Sequence, residues 1–277
     1  MLRKLTLVVA LIASLLIGAA PASAITDGDL DGNGHPYVGL MVAQTAAGQP
    51  LWRCSGTLIS ARIFVTAGHC TESLAGHIEI WFAADVETNH NRLNPDGTPN
   101  PNWNGYPITG DVGGTPYTHP NFDPNRFFIR DLGIVLLDKA VKRSTYGRLP
   151  QRDQLDALSP GASTTFTAVG YGLQMSFPDA ASWKDQALRI RMVAYPKLNQ
   201  INGGIVGDFS LLLSNNANTG GTCFGDSGGP NFVGTSNVIG GVTSFGLNGN
   251  CAGTGGVYRL DRSWNLDWIY ATFGRYL

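Results

Sequence analysis

An all-β fold is the architecture this sequence predicts, on three observations. Glycine supplies 36 of 277 residues and charged residues only 14%, a composition of tight turns rather than long solvated helices. Short runs of β-branched and aromatic residues recur, bounded by Gly, Asn or Pro. The runs divide evenly around a polar connector spanning 143–159, so two halves of similar size are expected.

Taken in order, strands are expected over Tyr37–Ala43, Trp52–Ser60, Ile63–Ala67, Ile78–Ala83, Leu132–Leu137, Thr164–Gly170, Ala187–Tyr195, Val238–Phe245 and Gly256–Leu260. One helix is expected, capped by Asp261, with Trp264, Trp268, Ile269 and Phe273 on roughly one face. Strand counting alone does not separate a pair of barrels from a sandwich. The stretch 89–111 is rich in Asn, Pro and Gly and reads as a long surface loop. Asp85, Glu87 and Asp96 lie in or near it without a regular ligand spacing, so neither metal nor other cofactor is expected.

The N-terminus reads as a secretory leader. Arg3 and Lys4 precede an uncharged apolar run from Leu5 to Ala20, and Ala22-Ser23-Ala24 has the small residues of a cleavage site. An uncleaved anchor is disfavoured because Pro21 ends the run near the lower limit for spanning a bilayer. The expectation is a leader over 1–24 and a secreted, extracellular chain over 25–277 with no membrane contact after cleavage. In an oxidising compartment the four cysteines form disulfides, and three pairings are open. Zinc is disfavoured, since no C-x-x-C or H-x-x-x-H spacing occurs. A net charge of -1 without basic runs after the leader argues against nucleic acid as a partner.

Chemistry concentrates in two segments, Thr66-Ala67-Gly68-His69-Cys70 and Gly225-Asp226-Ser227-Gly228-Gly229-Pro230. A nucleophilic serine needs glycines beside it, because backbone N–H groups must face the substrate carbonyl. The pentapeptide from Gly225 to Gly229 also satisfies G-x-S-x-G, but in α/β-hydrolases the histidine follows the serine. All five histidines here (His35, His69, His77, His90, His119) precede Ser227, which excludes that fold. An acid is then expected on a buried strand between the two motifs. Asp131 opens the apolar run Leu132–Leu137, whereas Asp111 and Asp123 sit in polar, Pro/Gly-rich surroundings. His119, before Pro120, reads as a turn residue.

The blocks T-A-G-H-C, R-D-L-G-I-V-L-L and G-D-S-G-G-P resemble the three signature blocks of the trypsin/chymotrypsin family of serine endopeptidases, in the same order. The likeness runs from Ile25 to the C-terminus through Pro36-Tyr37-Val38, Cys54–Ile59, Val169-Gly170-Tyr171-Gly172 and Gly256-Val257-Tyr258. It implies two six-stranded antiparallel β-barrels, about 25–150 and about 151–277, with the active site between them and a C-terminal helix. It implies peptide hydrolysis on protein or peptide substrates, with Ser227 as nucleophile, His69 as general base and Asp131 as its orienting acid. The amides of Gly225 and Ser227 would form the oxyanion hole. Disulfides Cys54–Cys70 and Cys223–Cys251 are implied, and these are also the local pairs. Closing a loop of about fifteen residues is worth roughly 3 kcal/mol.

Two further implications concern activation and specificity. Cleavage after Ala24 would start the chain at Ile25-Thr26-Asp27-Gly28, similar to the start of activated family members, with the Ile25 ammonium paired to buried Asp226. The substrate pocket would be built from Gly221, Thr222, Phe224, Ser244, Phe245, Gly246 and Gly256. Gly221 stands where trypsin-like enzymes carry an aspartate, so an uncharged residue is expected at P1, the substrate residue preceding the scissile bond. A monomer is expected. Rival readings are a catalytically silent binding relative, which would need a broken triad, and an esterase on the same fold.

Overall fold

The computed structural model describes residues 25–126, 128–174 and 188–277. The expected leader lies outside them, as does Ala187 at the head of one expected strand. The first closed barrel is built from β2 (Val38–Gln44), β3 (Pro50–Leu58), β4 (Ile63–Thr66), β5 (His77–Trp81), β6 (Val112–Thr118) and β7 (Gly133–Leu137), in the order β2-β3-β4-β7-β6-β5. Every neighbouring pair is antiparallel. All seven residues of β2 and all four of β4 are buried, because the barrel interior takes one face and packed loops or the other barrel take the other.

The second barrel closes in the order β8-β10-β11-β14-β13-β12, with β12 returning to β8. Its strands are β8 (Gly161–Gly170), β10 (Lys197–Gln200), β11 (Ser210–Asn215), β12 (Pro230–Val233), β13 (Ile239–Gly246) and β14 (Gly253–Arg259). At ten residues, β8 is long enough to pair with β10 near its start and with both β12 and β9 (Met192–Ala194) near its end. A two-residue strand, β1 (Asp29–Leu30), adds to the outer edge of β9.

Several elements differ from the sequence expectation. The β6 strand carries two glycines and Pro116, which obscure its periodicity, and it survives as a seven-residue strand paired with β5 and β7. The short polar β10, the Leu-rich β11 and Pro-led β12 were not expected. Of the expected strand over Ala187–Tyr195, only Met192–Ala194 pairs as β9. His119 does turn the chain, its carbonyl accepting from Phe122 N, but the ring is buried edge-on to Trp268. That burial lowers its pKa to about 4.

The helix, α1 (Ser263–Phe273), buries Leu266, Ile269 and Phe273, while Trp264 and Trp268 are half-buried. Asp261 is not its cap. The residue before the helix is Arg262, and the Asp261 carboxylate instead accepts from Arg259 and from Leu155 N. A buried carboxylate beside a buried guanidinium is held more strongly by that charge than by a helix terminus.

A second buried ion pair ties the N-terminal strap to both barrels. Arg191 and Asp31 have side chains only 1% exposed and pair at 2.8 Å. Arg191 Nη1 also donates to Val38 O, Phe82 O and Tyr171 Oη, and Nη2 donates to Gly32 O. His35 Nδ1 closes the network on Asp31 at 2.5 Å. Removing one partner of such a pair strands the other charge without water. Asp31→Ala is therefore expected to destabilise the fold by about 3–5 kcal/mol, read as a lowered urea midpoint with an unchanged slope.

Candidate active site

Ser227 lies in the loop between β11 and β12, at the seam where that loop meets the first barrel. The loop is tied down by Asp226 N to Cys223 O, Gly229 N to Asp226 O and Gly228 N to Thr243 O, at 2.8 to 3.0 Å. Gly228 has φ +76°, and a Cβ there would sit 2.0 Å from Thr66 Oγ1 and 2.6 Å from Ser55 O. The serine loop can approach the histidine strand only because this position has no side chain.

His69 follows β4 in a short 3-10 turn, Gly68–Cys70. Its Nδ1 lies 2.9 Å from Asp131 Oδ2 and 3.1 Å from Oδ1, and its backbone N donates to Oδ1 at 2.9 Å. Ser244 Oγ, from β13 of the other barrel, donates to Asp131 Oδ2 at 2.5 Å. Asp131 is fully buried and His69 half-exposed. A carboxylate with no water must be met by donors, and these three meet it. With Nδ1–H committed to Asp131, Nε2 holds a free lone pair. Burial of the ring acts to lower the His69 pKa, but the charge of Asp131, its hydrogen bond and Glu72 outweigh it, so the pKa is raised.

Ser227 and His69 line one cavity of about 470 Å³, and no hydrogen bond joins the serine hydroxyl to the ring. Two amides beside the serine have no hydrogen-bond partner among the described residues, those of Gly225 and Ser227. Their orientation is set by neighbouring carbonyls. Phe224 O accepts from Leu173 N, so the trans peptide turns the Gly225 N–H the opposite way. Gly225, at φ +93°, then presents its own carbonyl to Ser55 Oγ at 3.0 Å. Ser55 also takes Ser227 O on its N–H and accepts Tyr171 N on its Oγ. Sequence reasoning assigned Ser55 no role, and its only signal was its place in the Cys54–Ile59 block.

Asp226 and Ile25 are both fully buried, and no hydrogen bond joins them. Ile25 packs with Ala168, Met192 and Ala194. Asp226 accepts from Cys223 N at 2.9 Å and Gly172 N at 2.8 Å. Burial raises its pKa to about 7, against the lowering effect of those two amides and the charge of Arg53.

The cavity is lined by Thr222, Phe224, Thr243, Ser244, Phe245 and Gly246, by Asn248 and Gly249, and by the Cys223–Cys251 disulfide. Among the described residues, no ionisable group other than His69 lines it. Two expected pocket residues do not line it. The space beside Gly221 is filled by the Asn215 carboxamide, whose Cγ would be 2.2 Å from a Cβ there. Gly256 does not leave an open wall, because the Phe245 ring occupies its side-chain space at 2.4 Å. The Cys54–Cys70 disulfide lies beside His69 and commits both thiols, so the sulfurs near that ring are not metal ligands. Glu87 pairs with Arg189, while Asp85 and Asp96 accept from Thr88 and Thr98, so the three acids of the long loop do not converge.

The trypsin family profile matches residues 31–269, and the chain belongs to that family, the trypsin-type serine proteases. A brachyurin of Leptuca pugilator is 29% identical over 238 residues, covering 81% of this chain and 89% of the relative. "Serine protease 1" of Drosophila melanogaster is 24% identical, covering 86% and 83%. A solved "HL collagenase" superposes with a TM-score of 0.63 at 20% identity, covering 90% of this chain and 99% of that one. A human heparin binding protein superposes at 0.62 with 20% identity, covering 90% and 97%. At such identity these two structures speak to the fold, which is chymotrypsin-like.

The raised pKa of Asp226 has a consequence for stability. A folded-state value near 7 against about 3.9 unfolded means the fold binds the extra proton. This contribution to stability is fully present below pH about 4 and is lost as pH rises through about 7. In the full chain of residues 1–277, the Tm should fall across that window. Asp226→Asn should flatten the fall.

Proposed function

We propose that the protein is a secreted endopeptidase that cleaves through an acyl-enzyme, with Ser227 as nucleophile, His69 as general base and acid, and Asp131 as the residue that orients and stabilises the imidazolium. The observation that carries this reading is the convergence, in one cavity, of Ser227 and a histidine whose Nδ1 is held by a buried carboxylate, beside two amides, of Gly225 and Ser227, that have no partner among the described residues. His69 Nε2 takes the Ser227 proton as Oγ attacks the scissile carbonyl, and the new oxyanion is bound by the N–H groups of Gly225 and Ser227. The imidazolium then gives its proton to the leaving amine. Water repeats the sequence on the acyl-enzyme, returning Ser227 to its free state. Each oxyanion donor is worth about 10²–10³ in rate.

Substrate choice follows from the lining of the cavity. Thr222, Phe224, Phe245 and the disulfide offer apolar walls and hydroxyls with no carboxylate, so an apolar or aromatic P1 residue is favoured over Lys or Arg. Activation is assigned to leader removal. Cleavage after Ala24 frees an ammonium at Ile25 that pairs with Asp226, and ionising that carboxylate holds the Gly225–Ser227 turn in its working shape. Because the same fold serves a protein named for heparin binding, the fold alone does not decide for catalysis. The intact His69, Asp131 and Ser227 support the catalytic reading.

Three experiments test this. A fluorophosphonate probe should add once to the secreted protein, on a chain whose mass begins at Ile25, and not to Ser227→Ala. In a peptide library, cleavage after Phe or Leu should exceed cleavage after Arg. Absence of the adduct on a chain starting at Ile25 would favour the silent binding relative. The third experiment uses pH. Since the base must be neutral and its pKa is raised, kcat/KM should fall on acidification with a midpoint above the ordinary histidine value of about 6.5. Lowering Asp131 to a neutral amide, Asp131→Asn, should move that midpoint down and cut kcat by about 10⁴.

A further inference from the structure

Asn215 is a buried polar residue that the proposed mechanism does not use, at the C-terminal end of β11 where that strand pairs with Gly253 of β14. Its carboxamide is spent in both directions. Oδ1 accepts from Thr26 Oγ1 at 2.7 Å, and Nδ2 donates to Thr222 O at 2.8 Å. Thr26 is itself pinned to the residue before Thr222, since its carbonyl accepts from Gly221 N at 3.1 Å and its Oγ1 also lies 3.3 Å from Gly221 O. The Asn215 side chain fills the space that a side chain at Gly221 would take. A single amide group therefore joins the second residue after the expected cleavage point to a residue that lines the substrate cavity.

We infer that Asn215 is a positioning residue for the P1 pocket, linking the docking of the N-terminal segment to the placement of the Thr222 wall. This rests on the functional reading above only for the name of the pocket. The chemistry requires an amide at this position. An aspartate would turn the Nδ2 donor into a second acceptor facing Thr222 O, and a leucine of similar shape would leave both Thr26 Oγ1 and Thr222 O buried without this partner. The Thr222 segment would then lose this tether, while the carbonyls around Gly225 and Ser227, held through Leu173 and Ser55, keep theirs. Substrate fit should suffer more than the chemistry at Ser227.

The test compares wild type with Asn215→Leu, Asn215→Asp and the pair Thr26→Val and Thr26→Ser, all as secreted chains whose start at Ile25 is verified by mass. Two quantities are read: KM and kcat on a substrate with Phe at P1, and the Kd of an N-acyl peptide ending in Phe, which needs no turnover. Loss of this buried hydrogen bonding should raise KM and Kd about tenfold with kcat within about twofold. Thr26→Ser should restore wild-type values where Thr26→Val does not, and this outer pair covers the case in which a β11 variant fails to fold. Unchanged KM and Kd in Thr26→Val and in a folded Asn215→Leu would overturn the inference, as would a parallel loss of kcat and KM for every P1 residue. Should wild type fail to label with fluorophosphonate, the catalytic reading falls, and the Kd comparison still decides the role of Asn215.

Discussion

A carboxylate without water is the constraint on which the seam between the barrels depends. Asp131 sits at zero exposure, and its acceptor capacity is met by His69 N and Nδ1 from the first barrel and by Ser244 Oγ from the second. Neither barrel could satisfy it alone. Leaving any of these acceptor sites unmet in such surroundings costs more than a typical surface contact returns, so the two barrels are held in the one relative placement that supplies all three donors. That same placement delivers His69 to the cavity wall.

The serine side of the seam is built on the opposite logic, in which donors are kept free. Ser55 binds Ser227 O and Gly225 O, Leu173 N takes Phe224 O, and Gly228 allows the loop to touch Thr66. Three of these contacts engage a carbonyl of the loop, those of Phe224, Gly225 and Ser227. The N–H groups of Gly225 and Ser227 remain without a partner among the described residues. Asp226 shares that turn, and its burial raises its pKa, so the fold resists its ionisation.

Legibility in the sequence followed how local each signal was. Strands such as Val38–Gln44, Ile63–Thr66 and Gly133–Leu137 announced themselves because their residues are β-branched or apolar in unbroken runs. Val112–Thr118 and Pro230–Val233 did not, since Gly and Pro dilute the pattern and only pairing with neighbours holds them extended. Asp261 had the position of a helix cap but took a different partner because Arg259 is buried beside it. Gly221 and Gly256 were read as residues of the pocket wall, whereas the Asn215 and Phe245 side chains fill the space beside them.

By itself, the sequence determined the all-β class, the order of histidine, acid and serine, and the glycine-lined turn around Ser227. Those features are written in short contiguous motifs whose residue types have few chemical uses. Only the tertiary structure decided that Ser244 meets Asp131, that Ser55 turns the Gly225 carbonyl, that Asn215 lies beneath Thr222, and that Arg191 is neutralised by Asp31. Each of these is a hydrogen bond between residues more than a hundred positions apart, or, for Asn215, across a turn that the strand pairing of β11 and β14 must first fix. Serine and asparagine side chains bond to whatever the fold brings within about 3 Å, so their roles are set by packing and not by their neighbours in the chain.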